Sequence, residues 1–130
     1  MVWNNVVGKF SAAGKGVAWA VKTDTSFRIH LPAAAMVIAA GWWLHISAIE
    51  ICVIILAAAQ VVALEIINTA IEAYVRVSHP QRDPRIGHVL DAAAGAVLVA
   101  TIAAVIVGLI ILGPPMIEVF APSKTPLPIR

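Results

Sequence analysis

Charge is the scarcest commodity in this chain. Only 12% of its 130 residues are Asp, Glu, Lys or Arg, where an ordinary soluble domain carries about 25%. Hydrophobic residues make up 61% and mean hydropathy is +0.93. A soluble globular class is thereby excluded, and the length leaves room for about three membrane spans. Cysteine is limited to Cys52, which rules out an internal disulfide and any cysteine-based metal spacing; in its apolar run it is expected as a small buried residue. No GxxxxGK[ST] loop occurs, so a bound nucleotide would rely on other groups. The N-terminus has no short apolar core followed by a small-residue cleavage site, so no cleavable signal is expected. With a net charge of only +2, no nucleic-acid partner is expected either.

The residues present read as an all-α membrane protein in one integral-membrane domain spanning 1–130. Residues 3–22 form an amphipathic surface helix: Trp3, Val6, Val7, Phe10, Gly14, Val17 and Val21 follow helical spacing, and Lys9, Lys15 and Lys22 supply the polar side. Residues 23–26 break the pattern with turn chemistry. Three membrane helices follow, over 31–49, 47–77 and 88–112. Pro32 is placed in the first turn of the first span, and Trp42 and Trp43 at its far interface. The chain turns around His45, Ile46 and Ser47, with Glu50 close to that boundary. A polar loop occupies 78–87, the third span begins near His88, Gly113-Pro114-Pro115 ends its regular helix, and 121–130 is an irregular tail. Lys9, Lys15, Lys22 and Arg28 precede the first span, and Arg76, Arg82 and Arg85 lie between the second and third. The connection between the first two spans has no basic residue. This distribution puts the N-terminus in the cytoplasm, although Lys124 and Arg130 of the tail weigh the other way.

The informative exception to all this apolarity is Glu65-Ile66-Ile67-Asn68-Thr69-Ala70-Ile71-Glu72. Glu65, Asn68, Thr69 and Glu72 fall at i, i+3, i+4 and i+7, on one helical face. An ionisable group at membrane depth costs about 2.5–3.5 kcal/mol on insertion scales, which marks the face as functional or as paired. With Asp24 and Asp91, four acids gather at the cytoplasmic boundary, where ATP is found. Two of them at the surface suit magnesium, which takes one or two carboxylates together with phosphate oxygens. Glu65 lies about 10 Å deeper than Glu72 at 1.5 Å per residue, where a carboxylate suits proton removal. The pattern fits phosphoryl transfer to a lipid hydroxyl arriving from the bilayer. Simpler roles stand beside it. Glu65 and Glu72 can pair with basic groups, and Asn68 and Thr69 can bond between helices. Asp24 can cap a helix; Asp91 can cap the third span or pair with Arg85 or Arg76. His30, His45, His79 and His88 show no ligand spacing and are expected at the interface.

The segment Glu65 to Glu72 resembles the ExxNTAIE signature of the small prokaryotic diacylglycerol kinase and undecaprenol kinase family. Asp91-Ala92-Ala93-Ala94-Gly95-Ala96-Val97-Leu98 is similar to its second signature, KDxAAGAVL, and Phe27-Arg28-Ile29-His30-Leu31 resembles the stretch after its first acid. The resemblance covers about Asn5 to Leu112. It implies an integral-membrane homotrimer of the bacterial inner membrane that transfers the ATP γ-phosphate to a lipid hydroxyl, with sites shared between subunits. Diacylglycerol is the expected acceptor, with undecaprenol as the alternative. By the same resemblance Glu65 corresponds to the general base and Asn68 to the polar residue beside it. Asp24 and Glu72 correspond to the acids that hold Mg2+ and nucleotide, and Asp91 to an acid of the nucleotide site. Lys15, Gly16, Arg28, Trp43 and Glu65 correspond to lipid-contacting positions.

Four positions depart from the family pattern. Asp24 replaces a glutamate, Leu90 a lysine before the second-signature aspartate, Asn5 an arginine, and Arg76 an acid four residues after Glu72. Losing two basic phosphate contacts would weaken ATP binding by several kcal/mol unless replaced, and Arg76, Arg82 and Arg85 are the candidate replacements. A catalytically impaired member acting as a membrane-interaction protein, or a small oligomeric channel lined by Glu65 and Glu72, remain the other readings.

Overall fold

The computed structural model describes residues 6–81 and 83–121, and every regular element in them is helical. Trp3, Asn5, Arg82 and the tail beyond Ala121, with Lys124 and Arg130, lie outside the described residues. Helix α1 is Val6–Thr23, α2 Phe27–Trp43, α3 Ala48–Ser78 and α4 Pro84–Phe120. The most extensive packing is between α3 and α4; α2 packs mainly on α3, and α1 meets the bundle through α3.

The turns set these boundaries. Between α1 and α2 the Asp24 side chain folds back, its Oδ1 accepting the Ser26 N–H at 2.8 Å. The next helix therefore starts at Phe27, four residues before the expected first span. Pro32 then lies inside α2 and not in its first turn. The bond it forfeits is to the carbonyl of Arg28, whose side chain is exposed at the helix start, which lessens the cost.

At the other end of α2, His45 adopts a left-handed φ of 53° and reverses the chain. Ser47 then opens α3 with a capping box: its N–H and hydroxyl donate to Glu50 Oε2 at 2.8 and 2.7 Å, and the Glu50 N–H donates back to Ser47 Oγ at 3.3 Å. Glu50 is thus the boundary residue expected, with a defined role.

The polar loop is shorter than 78–87. Asp83 caps α4 by accepting the Arg85 N–H at 2.8 Å, and Pro84 occupies the first turn, where its missing N–H costs nothing. Further along, α4 does not stop at Gly113: it runs through Pro114 and Pro115 to Phe120. The two prolines are adjacent, so the disruption to the ladder is confined to one turn, and Gly113 offers no Cβ to clash with the first ring.

Two helices, α3 and α4, are long and apolar enough to cross a membrane. The 17 residues of α2 reach about 26 Å at 1.5 Å each, just short of the roughly 30 Å hydrocarbon core. The inward stripe of α3 is Ile54, Val61, Glu65, Asn68 and Thr69, all buried; α4, which packs on α3, buries Val97, Ala100 and Leu112. Cys52, expected inside, is exposed. It stands two residues before Ile54, about 200° around the helix and so on the opposite face.

Candidate functional site

Asp24 is held from two sides. Its Oδ1 takes the Ser26 N–H, and its Oδ2 accepts the Thr69 hydroxyl of α3 at 3.0 Å. The one Thr69 hydroxyl proton is shared with the Glu65 carbonyl one turn back, 2.9 Å from Oγ1, so a single hydroxyl ties the α1–α2 turn to the acidic face. Partial burial pushes the Asp24 carboxyl up, but the Ser26 N–H, the Ser26 and Thr69 side chains and the nearby His30 outweigh it. The group therefore sits below the ordinary aspartate value. The ionised form then favours the fold. That contribution is complete above the unfolded aspartate pKa of about 3.9 and disappears as pH falls through the lower folded value. The difference in melting temperature between wild type and Asp24→Asn is expected to be flat from about pH 7 to 5 and to close below about pH 4. A gap that persists in acid would assign the effect to packing instead.

The Asn68 amide donates to Glu72 Oε1, one turn further along α3, at 2.8 Å, while Glu72 Oε2 lies 3.8 Å from Arg76. Asp24, Thr69, Glu72 and Arg76 line one depression of about 390 Å³, closed on the α1 side by Trp19 and Thr23. Among the described residues no three His, Cys, Asp or Glu side chains gather closely enough to hold a metal unaided. The donor set is instead two carboxylates, which suits magnesium completed by phosphate oxygens and water.

Glu65 is set apart from this depression. It is 3% exposed, one of the most buried side chains described, and its Oε1 is 3.3 Å from His30 Nδ1 on α2. Beside that pair an apolar cleft of about 370 Å³ runs between α2, α3 and α4; among the described residues His30 and Thr101 are its only polar lining side chains. The sequence missed this place for His30, which was expected at the interface. The available signal was spacing: Phe27, His30, Ala34, Val37 and Gly41 fall on one face of α2, and Phe27 and Gly41 are its buried residues.

The remaining site residues are dispersed. Lys15 and Gly16 are exposed on α1, Lys15 one turn before Trp19 and on its face. Arg28 is exposed at the start of α2, and Trp43, 61% exposed, is at its far end, about 22 Å away along the helix. Asp91 is exposed in the second turn of α4, and no α4 residue lines the depression. The simpler roles for Asp91 do not hold: Asp83 is the α4 cap, Arg85 pairs with Asp83 at 2.8 Å, and Arg76 faces Glu72.

One buried acid, Glu65, thus lies on an apolar helix long enough to cross a membrane, beside a polar depression that holds two more accessible carboxylates, Asp24 and Glu72. The family profile described as Prokaryotic diacylglycerol kinase matches residues 11–112. The chain is similar to a diacylglycerol kinase of Synechocystis, 41% identical over 115 residues that cover 88% of this chain and 66% of that protein. It is also similar to an undecaprenol kinase of Bacillus subtilis, 35% identical over 111 residues covering 85% of this chain and 90% of the relative. The chain belongs to the prokaryotic diacylglycerol kinase family, whose members are lipid kinases using ATP.

Proposed function

We propose that the chain phosphorylates diacylglycerol, with Glu65 as the general base and Asp24 and Glu72 as the acids that hold Mg2+ with the nucleotide phosphates. The observation carrying this reading is the separation of a buried carboxylate, Glu65, from two more accessible ones, Glu72 on the same face of α3 and Asp24 in the α1–α2 turn. Glu65 removes the proton from the lipid hydroxyl, and the freed oxygen forms a bond to the γ-phosphorus. The bond from that phosphorus to the bridging oxygen breaks, ADP leaves with its electron pair, and the proton stays on Glu65. Bound Mg2+ supplies charge neutralisation on the phosphates. Asn68 fixes Glu72, and Thr69 fixes Asp24. Lys15, Gly16, Arg28 and Trp43 are proposed to contact lipid. The preference for diacylglycerol rests on the higher identity to the relative of that name.

The phosphates also need a cation. Arg85 is engaged by Asp83, whereas Arg76 lines the depression, is 76% exposed in its side chain and holds Glu72 only loosely. Arg76 is therefore the proposed substitute for the lysine that Leu90 replaces. Its loss is expected to raise the KM for ATP by about 10- to 100-fold, the equivalent of one charge-assisted hydrogen bond. Arg76→Ala with an unchanged KM would remove it from the phosphate site.

Three membrane crossings are proposed, α2 included, because 17 residues is at the short end of the usable range of about 17–25. Helix α1 lies along the inner leaflet, with the N-terminus cytoplasmic. A homotrimer with shared sites is consistent with Asp91 standing outside the depression of its own subunit and with the broad exposed apolar face of α4 formed by Leu98, Ile102, Val105 and Leu109. The test is ADP release by the purified protein with diacylglycerol and with undecaprenol, with and without Mg2+. Lipid-dependent turnover favouring diacylglycerol is expected. Faster turnover with undecaprenol would reassign the acceptor, and ion flux without ATP in place of ADP release would point to a channel.

A further inference from the structure

Among the described hydrogen bonds, Asn68 is committed to Glu72 and the Thr69 hydroxyl to Asp24 and the Glu65 carbonyl, so neither holds the Glu65 carboxylate, and a base on an unrestrained side chain would sample many directions. His30 supplies the missing constraint. Its Nδ1 lies 3.3 Å from Glu65 Oε1, and that nitrogen is buried without an aligned hydrogen bond. Histidine Nδ1 donates or accepts according to tautomer, and contacts at catalytic groups often tighten only when substrate is bound. A small rotation of the ring therefore converts the contact into an N–H···O bond.

The imidazole is mostly buried, which limits it to small movements. It stands one turn after buried Phe27 and lines the apolar cleft between α2, α3 and α4. The charged groups around it are few. The α1–α2 turn contributes Asp24, whose carboxyl feels the His30 charge, and α3 contributes Glu65. Among the described residues α4 contributes only Thr101 to the polar lining of the cleft.

We propose that His30 is the positioning residue for Glu65: its Nδ1–H donates to Oε1 and so aims Oε2 at the lipid hydroxyl. The proposal rests on the assignment of Glu65 as the base. The reacting proton moves from the hydroxyl to Oε2, and the imidazole proton stays on Nδ1, so His30 neither gains nor loses a proton in the step.

Two substitutions separate positioning from packing. Asparagine places an amide N–H near the position of Nδ1, whereas leucine keeps the bulk and has no donor. His30→Leu is expected to lower kcat by about 10- to 100-fold, the usual effect of losing a partner that orients a reactive group, with the KM for lipid within about threefold. His30→Asn is expected to restore kcat to within about threefold of wild type. A His30→Leu enzyme with unchanged kcat, or a His30→Asn enzyme as impaired as His30→Leu, overturns the proposal. Nitrogen NMR of the imidazoles gives a reading independent of turnover and of the stability of the His30 variants. Glu65→Gln is expected to move the His30 Nδ1 resonance and to leave those of His45, His79 and His88 in place; an unmoved His30 resonance overturns the pairing. The two assignments fail differently. An inactive Glu65→Gln with fully active His30 variants overturns the positioning role alone, whereas a fully active Glu65→Gln overturns the base and the role with it.

Discussion

Glutamine at position 65 is expected to lower kcat by about 10²- to 10⁴-fold, the range for removing a general base, while the protein still folds. Glutamine has the shape of glutamate, and its carbonyl oxygen can occupy the position of Oε1 opposite His30. What it cannot do is take a proton. Because Glu65 is 3% exposed, water has little access to replace it, and turnover should not recover with added buffer bases. The fold should tolerate the change: a buried carboxylate costs more than a buried amide, so the melting temperature is expected to hold or rise. Paired measurements of lipid-dependent ADP release and thermal unfolding check both halves. A loss of less than about threefold in kcat would mean that the proton leaves by another route.

The second large effect is expected at Glu72, and it should differ in kind. Glu72→Gln removes one of the two carboxylates lining the depression but keeps an acceptor for the Asn68 amide. The expected result is a Mg2+ concentration for half-maximal activity raised at least about tenfold, with kcat at saturating Mg2+ down by about 10²-fold, as when a site loses one preorganised charge interaction. Glu65→Gln, by contrast, should leave the Mg2+ dependence where it was. Titrating Mg2+ against activity in both variants separates the metal role from the base role. Identical Mg2+ curves for wild type and Glu72→Gln would remove this side chain from the metal site.

The acidic face was legible because its signal is local. Glu65, Asn68, Thr69 and Glu72 need only a period of 3.6 residues to converge, and α3 supplies it. The turn at Asp24 and the boundary at Glu50 were legible for the same reason, since their hydrogen bonds reach only two or three residues. Other features depend on partners far away in the chain. Thr69 meets Asp24 across 45 residues, and His30 meets Glu65 across α2 and α3; no spacing rule encodes either. Proline misled twice. At Pro32 the turn chemistry upstream had already started the helix, and at Pro114 and Pro115 the helix continued where a soluble one would stop. Away from water, an unpaired backbone group has no better alternative outside the helix, which favours continuing it.

The length of α3 has a mechanical consequence. In the proposed topology its outer end is the one capped by the Ser47–Glu50 box, close in the chain to the exposed Trp42 and Trp43. Measured from there, about 30 Å of hydrocarbon is used up after about 20 residues at 1.5 Å each, which is the level of Asn68. That topology puts Glu65 at the inner rim of the oil and Glu72 past it. The helix acts as a fixed ruler, so the bilayer decides where the ruler's marks fall. In a membrane a few ångströms thicker, of the kind that sorts proteins between compartments, Glu65 is drawn under the surface and away from the headgroup hydroxyls it must meet. Host acyl-chain length should therefore tune turnover even when the phosphorylated lipid is unchanged.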